Sequence, residues 1–209
     1  MGSKRWAVIL LAALLLPGGW SARAQLLGSL PVRPDALMSA VTSETIAILK
    51  QDLAAGRQTD IGLLVESKIL PLFDFHRMTR TAAGRDWRLA SPEQQEALVL
   101  QFRMLLVRTY STSLALYLGQ EIQYRPLRSA AGDTEVVVRS FLRRPGAETL
   151  TIDYALADSA GGWKVFDVTI AGVSLVLNYR ATFAAAVRSG GIDGLIKALS
   201  DKNRLNEAA

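Results

Sequence analysis

The sequence predicts an α+β fold: helices, then a curved antiparallel sheet of about four strands, then helices again, layered around one apolar interior. Three observations lead there. Apolar residues recur at helical spacing between Asp35 and Leu118. From Glu121 to Ile170 the apolar spacing falls to two, in four stretches separated by turns of hairpin length. After Gly172 it lengthens again, through Val173, Val176, Leu177, Arg180 and Phe183. A strand that passes into a helix at a glycine turns both apolar faces toward the same interior.

The first residues are read apart from that fold. Lys4 and Arg5 precede an apolar run, Trp6 to Leu16, too short to span a bilayer. Pro17-Gly18-Gly19 breaks the run, and Ala22-Arg23-Ala24 offers small residues for cleavage, so residues 1–24 are expected to be a secretory signal cut after Ala24. A single domain is expected over 25–209. Lys4, Arg5 and Arg23 are the only charges in the leader, so its removal lowers the formal charge from +5 to +2. No basic run is longer than Arg143-Arg144, and nucleic-acid binding falls away.

The segment from Gln25 to Arg33 is held extended by Pro31 and Pro34. Asp35 to Ala55 reads as an amphipathic helix stopped at Gly56. Asp60 can cap a second helix, which Pro71 breaks, and Asp74 a third, which Gly84 ends. Ser91-Pro92-Glu93-Gln94 is a capping box that opens a long helix to Leu118. Its stripe is Val99, Phe102, Leu106, Tyr110, Leu114 and Tyr117. An ordinary core would use that stripe as well as a cavity would.

Four strands are expected at 121–128, 134–143, 148–157 and 163–170. Ile152 and Tyr154 alternate with Thr151 and Asp153, the pattern of a sheet with one wet face. Val136 and Val138 can line the same interior, and Phe166, Val168 and Ile170 form the apolar face of the last strand. A helix from about Ser174 to Arg188, a short one over 192–199 and a frayed polar tail over 201–209 complete the chain.

Catalytic chemistry finds little to work with. There is one histidine, His76, and no cysteine, which excludes zinc and copper sites of ordinary composition and a lipid anchor on cysteine. Ser174 sits in Gly172-Val173-Ser174-Leu175-Val176, which lacks the second glycine of a nucleophile elbow, and reads better as a helix cap. Asp153 and Asp167 can form a carboxylate pair, though a structural ion pair with Arg139 or Lys164 competes with that. No phosphate loop or cofactor fingerprint is present, and no cofactor is expected.

The run Gly162-Trp163-Lys164-Val165, then Asp167-Val168, Ile170, Gly172-Val173-Ser174-Leu175, Asn178-Tyr179-Arg180 and Phe183, resembles the signature of the MlaC, or toluene-tolerance, family. The likeness extends to Leu70-Pro71-Leu72-Phe73-Asp74-Phe75, Leu89 to Gln94, and Gly191 to Ile196. It departs at Ala171, where the family carries an acidic residue before Gly-Val-Ser. The resemblance implies a cystatin- or NTF2-like sheet cupped by helices around a deep apolar cavity. It also implies a monomeric periplasmic carrier of two-tailed phospholipid, in transient contact with an outer-membrane lipoprotein complex and an inner-membrane ABC-transporter complex. Under that reading Phe73, Phe75, Phe102, Leu106, Tyr110, Leu114, Tyr117, Val136, Val138, Ile152, Tyr154, Phe166, Val168, Val173, Val176, Tyr179 and Phe183 are expected to meet the lipid tails. Arg180, Arg139 and Lys164 would fringe the mouth. A hopanoid cargo, a small periplasmic enzyme using Asp153 or Asp167, and a subunit holding a partner helix are the alternatives.

Overall fold

Helix starts are fixed by short polar side chains that satisfy otherwise orphaned backbone N–H groups. In a computed structural model of the chain, the residues described are 33–117, 120–130, 132–143, 146 and 148–207, with side chains described except at 111–117 and 207. The expected signal segment, 1–24, lies outside them. Helix α1 (Pro34–Ala54) begins at a proline whose fixed φ suits the first turn. Asp35 pairs with Arg33 (3.0 Å) and accepts the Leu127 N–H (2.8 Å), tying the helix to the loop after the first strand. Those hydrogen bonds, the one from Arg33 foremost, bring the Asp35 carboxyl down to about 2 against a smaller opposing effect of burial.

Asp60 caps α2 (Ile61–Leu64) by accepting from Leu63 N–H at 3.0 Å. The chain then widens into a π turn, Val65–Ile69, and tightens into a 3₁₀ turn, Leu70–Leu72, around Pro71. Asp74 caps α3 (Phe75–Ala83), which Gly84 ends at φ 61°. The capping box forms as expected at α4 (Pro92–Tyr117): Ser91 Oγ accepts from Gln94 N–H (3.2 Å), and Gln94 Oε1 from Ser91 N–H (3.0 Å).

The sheet is antiparallel in chain order: β1 (Glu121–Tyr124), β2 (Glu135–Arg143), β3 (Leu150–Ala157), β4 (Lys164–Ile170) and β5 (Val173–Ser174). The fifth strand replaces the helix start expected at Ser174. Ile170 pairs with Val173 across a two-residue loop, Ala171-Gly172, with both φ positive (49° and 84°), as the tightest hairpins require. Ser174 does not cap the long helix: its Oγ accepts from Leu177 N–H (3.0 Å), and a 3₁₀ turn, Leu177–Tyr179, with Val176 at its N-cap stands ahead of α5.

Helix α5 (Arg180–Glu207) kinks at Gly190-Gly191 and then continues where a frayed tail was expected. The reason is Asn203. Fully buried, it donates to the Gln101 carbonyl and to Gln101 Oε1, both at 2.9 Å, while Arg108 donates to its backbone carbonyl at 2.5 Å.

Two apolar clusters result. One joins α3, α4 and α5 through Met78, Leu98, Phe102, Leu105, Phe183 and Leu195. The other joins one face of the sheet to Met38 of α1 through Val138, Leu142, Leu156 and Val165. Phe73 packs against both.

Candidate functional site

Between the clusters the layers do not close. A cavity of about 270 Å³ opens there, with helical side chains on one wall and strand side chains on the other. The helical wall comes from the π and 3₁₀ turns (Val65, Ile69, Leu70), from Phe73, Phe75 and Met78, and from Leu106, Val107 and Tyr110 on α4. The opposite wall is Leu150, Ile152 and Tyr154 of β3, Val168 and Ile170 of β4, and Leu175. No charged side chain lines it among the described residues.

The polar side chains of the lining are two tyrosines, Tyr110 and Tyr154. Tyr154 stacks beside Tyr124, ring centres 6.3 Å apart, and the Tyr124 hydroxyl meets Thr42 Oγ1 at 2.7 Å. Burial, then the neighbouring Tyr124, pushes the Tyr154 phenol far above its ordinary range. At the other side Tyr179 stands against Tyr110, and burial, then that neighbour, raises its phenol to about 12. The Tyr154 and Tyr179 phenols are thereby held neutral, and the lining offers hydrocarbon and uncharged side chains. It is chemically suited to an apolar chain and unsuited to an ion.

The geometry sorts the residues expected to meet lipid. Phe73, Phe75, Leu106, Tyr110, Ile152, Tyr154 and Val168 line the cavity. Phe102, Val176, Tyr179 and Phe183 do not: they fill the helical cluster, where the Phe102 ring meets Tyr179 at 5.1 Å and Phe183 at 5.0 Å. Val136 and Val138 belong to the closed part of the sheet cluster. The side chains of Leu114 and Tyr117 lie outside the described residues.

Phe166 faces away from the cavity. A bulge shifts the register so that Ala155 pairs with Asp167 but Leu156 with Val165. One extra residue reverses the facing of everything before it, so Val165 is fully buried and Phe166 lies under the Arg77 guanidinium, 3.5 Å from its ring centre. Val173 sits on the β5 hairpin, exposed. Also in the lining are Leu150 and Ile170, apolar by strand alternation but not among the residues expected to meet lipid, and Val65, Ile69, Leu70, Met78, Val107 and Leu175, which sequence reasoning missed. The apolar run around Pro71 was the visible signal for Ile69 and Leu70.

The residues expected at the mouth are occupied elsewhere. Arg180 donates to the Thr81 carbonyl at the end of α3 (3.0 Å), and Lys164 to the Pro71 carbonyl (2.6 Å). Arg139 makes a two-pronged ion pair with Asp153, 2.7 Å on each side. Asp167 accepts from Ser174 Oγ (2.5 Å), Val168 N–H (2.8 Å) and Val176 N–H (3.2 Å), bracing the β4–β5 hairpin. His76 packs edge-on against Trp87, ring centres 5.0 Å apart.

The family model described as MlaC protein matches residues 39–201. The chain belongs to the MlaC family. Among relatives of this MlaC-family chain is the "Intermembrane phospholipid transport system binding protein MlaC" of Haemophilus influenzae, 24% identical over 136 residues, 64% of each chain. Another is the "Toluene tolerance protein ttg2D" of Pseudomonas putida, 29% identical over 106 residues, 51% of this chain and 49% of that protein. These matches thus span about two thirds and one half of those relatives' lengths. A solved phospholipid-binding protein from Ralstonia solanacearum, in complex with a phospholipid, is 37% identical with a TM-score of 0.73, covering 85% of this chain and 99% of that one.

Proposed function

We propose that this MlaC-family chain is a lipid carrier that encloses phospholipid acyl chains in the cavity between its sheet and its helices, leaving the head group in water. The observation that carries this reading is the uncharged lining of an open cavity, in a fold shared with a protein solved with a phospholipid. In this reading the carrier works in the periplasm. It passes lipid between an outer-membrane lipoprotein complex and an inner-membrane ABC-transporter complex, and so maintains the lipid asymmetry of the outer membrane. Phe73, Phe75, Leu106, Tyr110, Ile152, Tyr154 and Val168 hold the tails.

Energetics explain why enclosure is needed. Burial of hydrocarbon is worth ~0.8 kcal/mol per methylene, so exposing a two-tailed lipid of about 30 methylenes costs on the order of 20 kcal/mol. A cavity of about 150 Å³ takes one benzene ring, so about 270 Å³ takes on the order of ten carbons. Loading therefore widens the cavity, and the wall that yields is the irregular stretch 65–72.

The test is solvent extraction and mass spectrometry of the chain purified from a bacterial host. Roughly one phospholipid per protein is expected. Folded protein that carries no lipid, and takes none up from vesicles, would overturn the reading.

A further inference from the structure

Beside the cavity stands a hairpin that the enclosure of tails does not use. Ile170 and Leu175 line the cavity, and between them the chain leaves the body of the protein and returns. Ala171, Gly172 and Val173 are exposed at its tip, and Leu177 and Asn178 just beyond it. Val173 is 57% and Leu177 48% exposed, a pair of branched apolar side chains in the same short segment. A Cβ built on Gly172 meets nothing within 4 Å, so the tip stands clear of the rest of the chain.

Two further features single it out. Residues 168–179 contain no charged side chain, whereas charged residues make up 21% of the whole chain. Ala171 is also the one described non-glycine residue with positive φ, a conformation that costs an L-residue free energy and persists only where its surroundings enforce it. Enforcement comes from Asp167, which holds Ser174 Oγ and Val176 N–H at the base of the hairpin.

We propose that the tip, Ala171 to Val173 with Leu177, is a lipid-surface contact that dips into the head-group boundary of a bilayer at the rim of the cavity. The proposal rests on the carrier reading and adds the site through which tails enter. The tip offers methyl groups, backbone and a single amide, Asn178, a surface that suits the apolar core of a protein interface as well as a bilayer boundary. A bilayer interface asks for apolar groups and penalises charge. Continuity decides between them: Val173 pairs with Ile170, which lines the cavity, so tip and lining form one run of uncharged residues leading from the surface to the cavity. The contact is small, hence shallow and reversible, as a carrier needs.

The test is flotation of the full chain with zwitterionic phosphatidylcholine vesicles, with circular dichroism to confirm folding. Wild-type protein should float at low and high salt alike, because the contact carries no charge. Val173→Asp and Leu177→Asp should each bind at least tenfold more weakly, both positions being exposed and therefore tolerant. Val137→Asp, 53% exposed on the opposite face of the sheet, should bind as wild type does. No flotation of wild type, flotation abolished by salt, or tip variants that float like wild type would each overturn the proposal. Tip variants that float normally yet fail to transfer lipid in cells would assign the tip to a protein partner and overturn it as well. Lipid extracted from the wild-type chain is the separate readout of the carrier reading: lipid present without tip-dependent flotation sinks only the tip, and tip-dependent flotation with no lipid sinks only the carrier.

Discussion

Filling the cavity should separate cargo binding from folding. Val168 on β4 faces the cavity opposite Tyr154, and Val168→Phe would project a ring into the void. Phenylalanine has about four side-chain carbons more than valine, and at the ~25 Å³ per carbon of a benzene-sized cavity these take on the order of 100 Å³ of about 270 Å³, leaving room for roughly six carbons in place of ten. Four methylenes at ~0.8 kcal/mol each are about 3 kcal/mol, or about two powers of ten in affinity. Val138→Phe is the matched control: fully buried in the same sheet, it lines no void. Overpacking there costs about 1–3 kcal/mol, which for this chain length lowers Tm by about 2–12 °C. Val168→Phe should therefore melt at or above wild type while losing acyl ligand, and Val138→Phe should melt lower. The assays are circular-dichroism melts of delipidated protein and displacement of a fluorescent acyl probe. If Val168→Phe binds the probe as wild type does, or melts as low as Val138→Phe, the cavity is not where the tails lie.

Three other outcomes follow from particular bonds. Asp167→Ala removes a carboxylate that accepts from Ser174, Val168 and Val176, and hydrogen bonds to charge are worth about 1.5–3 kcal/mol, so Tm should fall by about 3–12 °C. Asn203→Ala leaves the Gln101 carbonyl and Oε1 without their donor and should cost about 1–3 kcal/mol in the same melt, where a frayed tail would cost nothing. The folded Asp35 carboxyl titrates at about 2, below its ordinary 3.8, so its contribution is present above pH 4 and is lost as pH falls from there to 2. Asp35→Asn should flatten the pH dependence of Tm across that window.

What was legible in the sequence was local. Asp60, Asp74 and the Ser91–Gln94 box each announce a helix start through a bond made within three residues, and each forms. What was illegible depends on distant neighbours. Phe166 and Val165 are both apolar, and alternation predicts parity but not the bulge that reverses it. Phe102 and Leu106 lie one turn apart on one stripe, yet Phe102 meets Tyr179 and Phe183 while Leu106 meets empty space. The pattern of α4 cannot distinguish a closed core from a cavity, because the difference lies on the elements opposite. The polar composition after Asp201 hides Asn203 for the same reason: its partner is Gln101, far away in sequence. Ala171 masks the hairpin by standing where asparagine, aspartate or glycine would announce one.

The same contrast between regular and irregular elements decides which wall of the cavity can move. The sheet wall is fixed by the pairing of β2, β3 and β4, interrupted only by the bulge after Ala155, and α4 is an unbroken helix anchored by its capping box. Residues 65–72 have neither kind of support, until Phe73 bridges to Val165 of β4: a π turn runs into a 3₁₀ turn around a proline, geometries in which backbone hydrogen bonds are weaker and fewer. Side chains tie the stretch down instead, Lys68 to Glu44 at 2.6 Å, Arg103 to Glu66 at 3.3 Å and Lys164 to the Pro71 carbonyl at 2.6 Å. Exposed ion pairs of that kind contribute ~0–1 kcal/mol each. Displacing them costs little beside the ~0.8 kcal/mol returned by every methylene that enters. A cavity smaller than its proposed cargo is thus consistent with a carrier whose weakest wall lies against the site it must open.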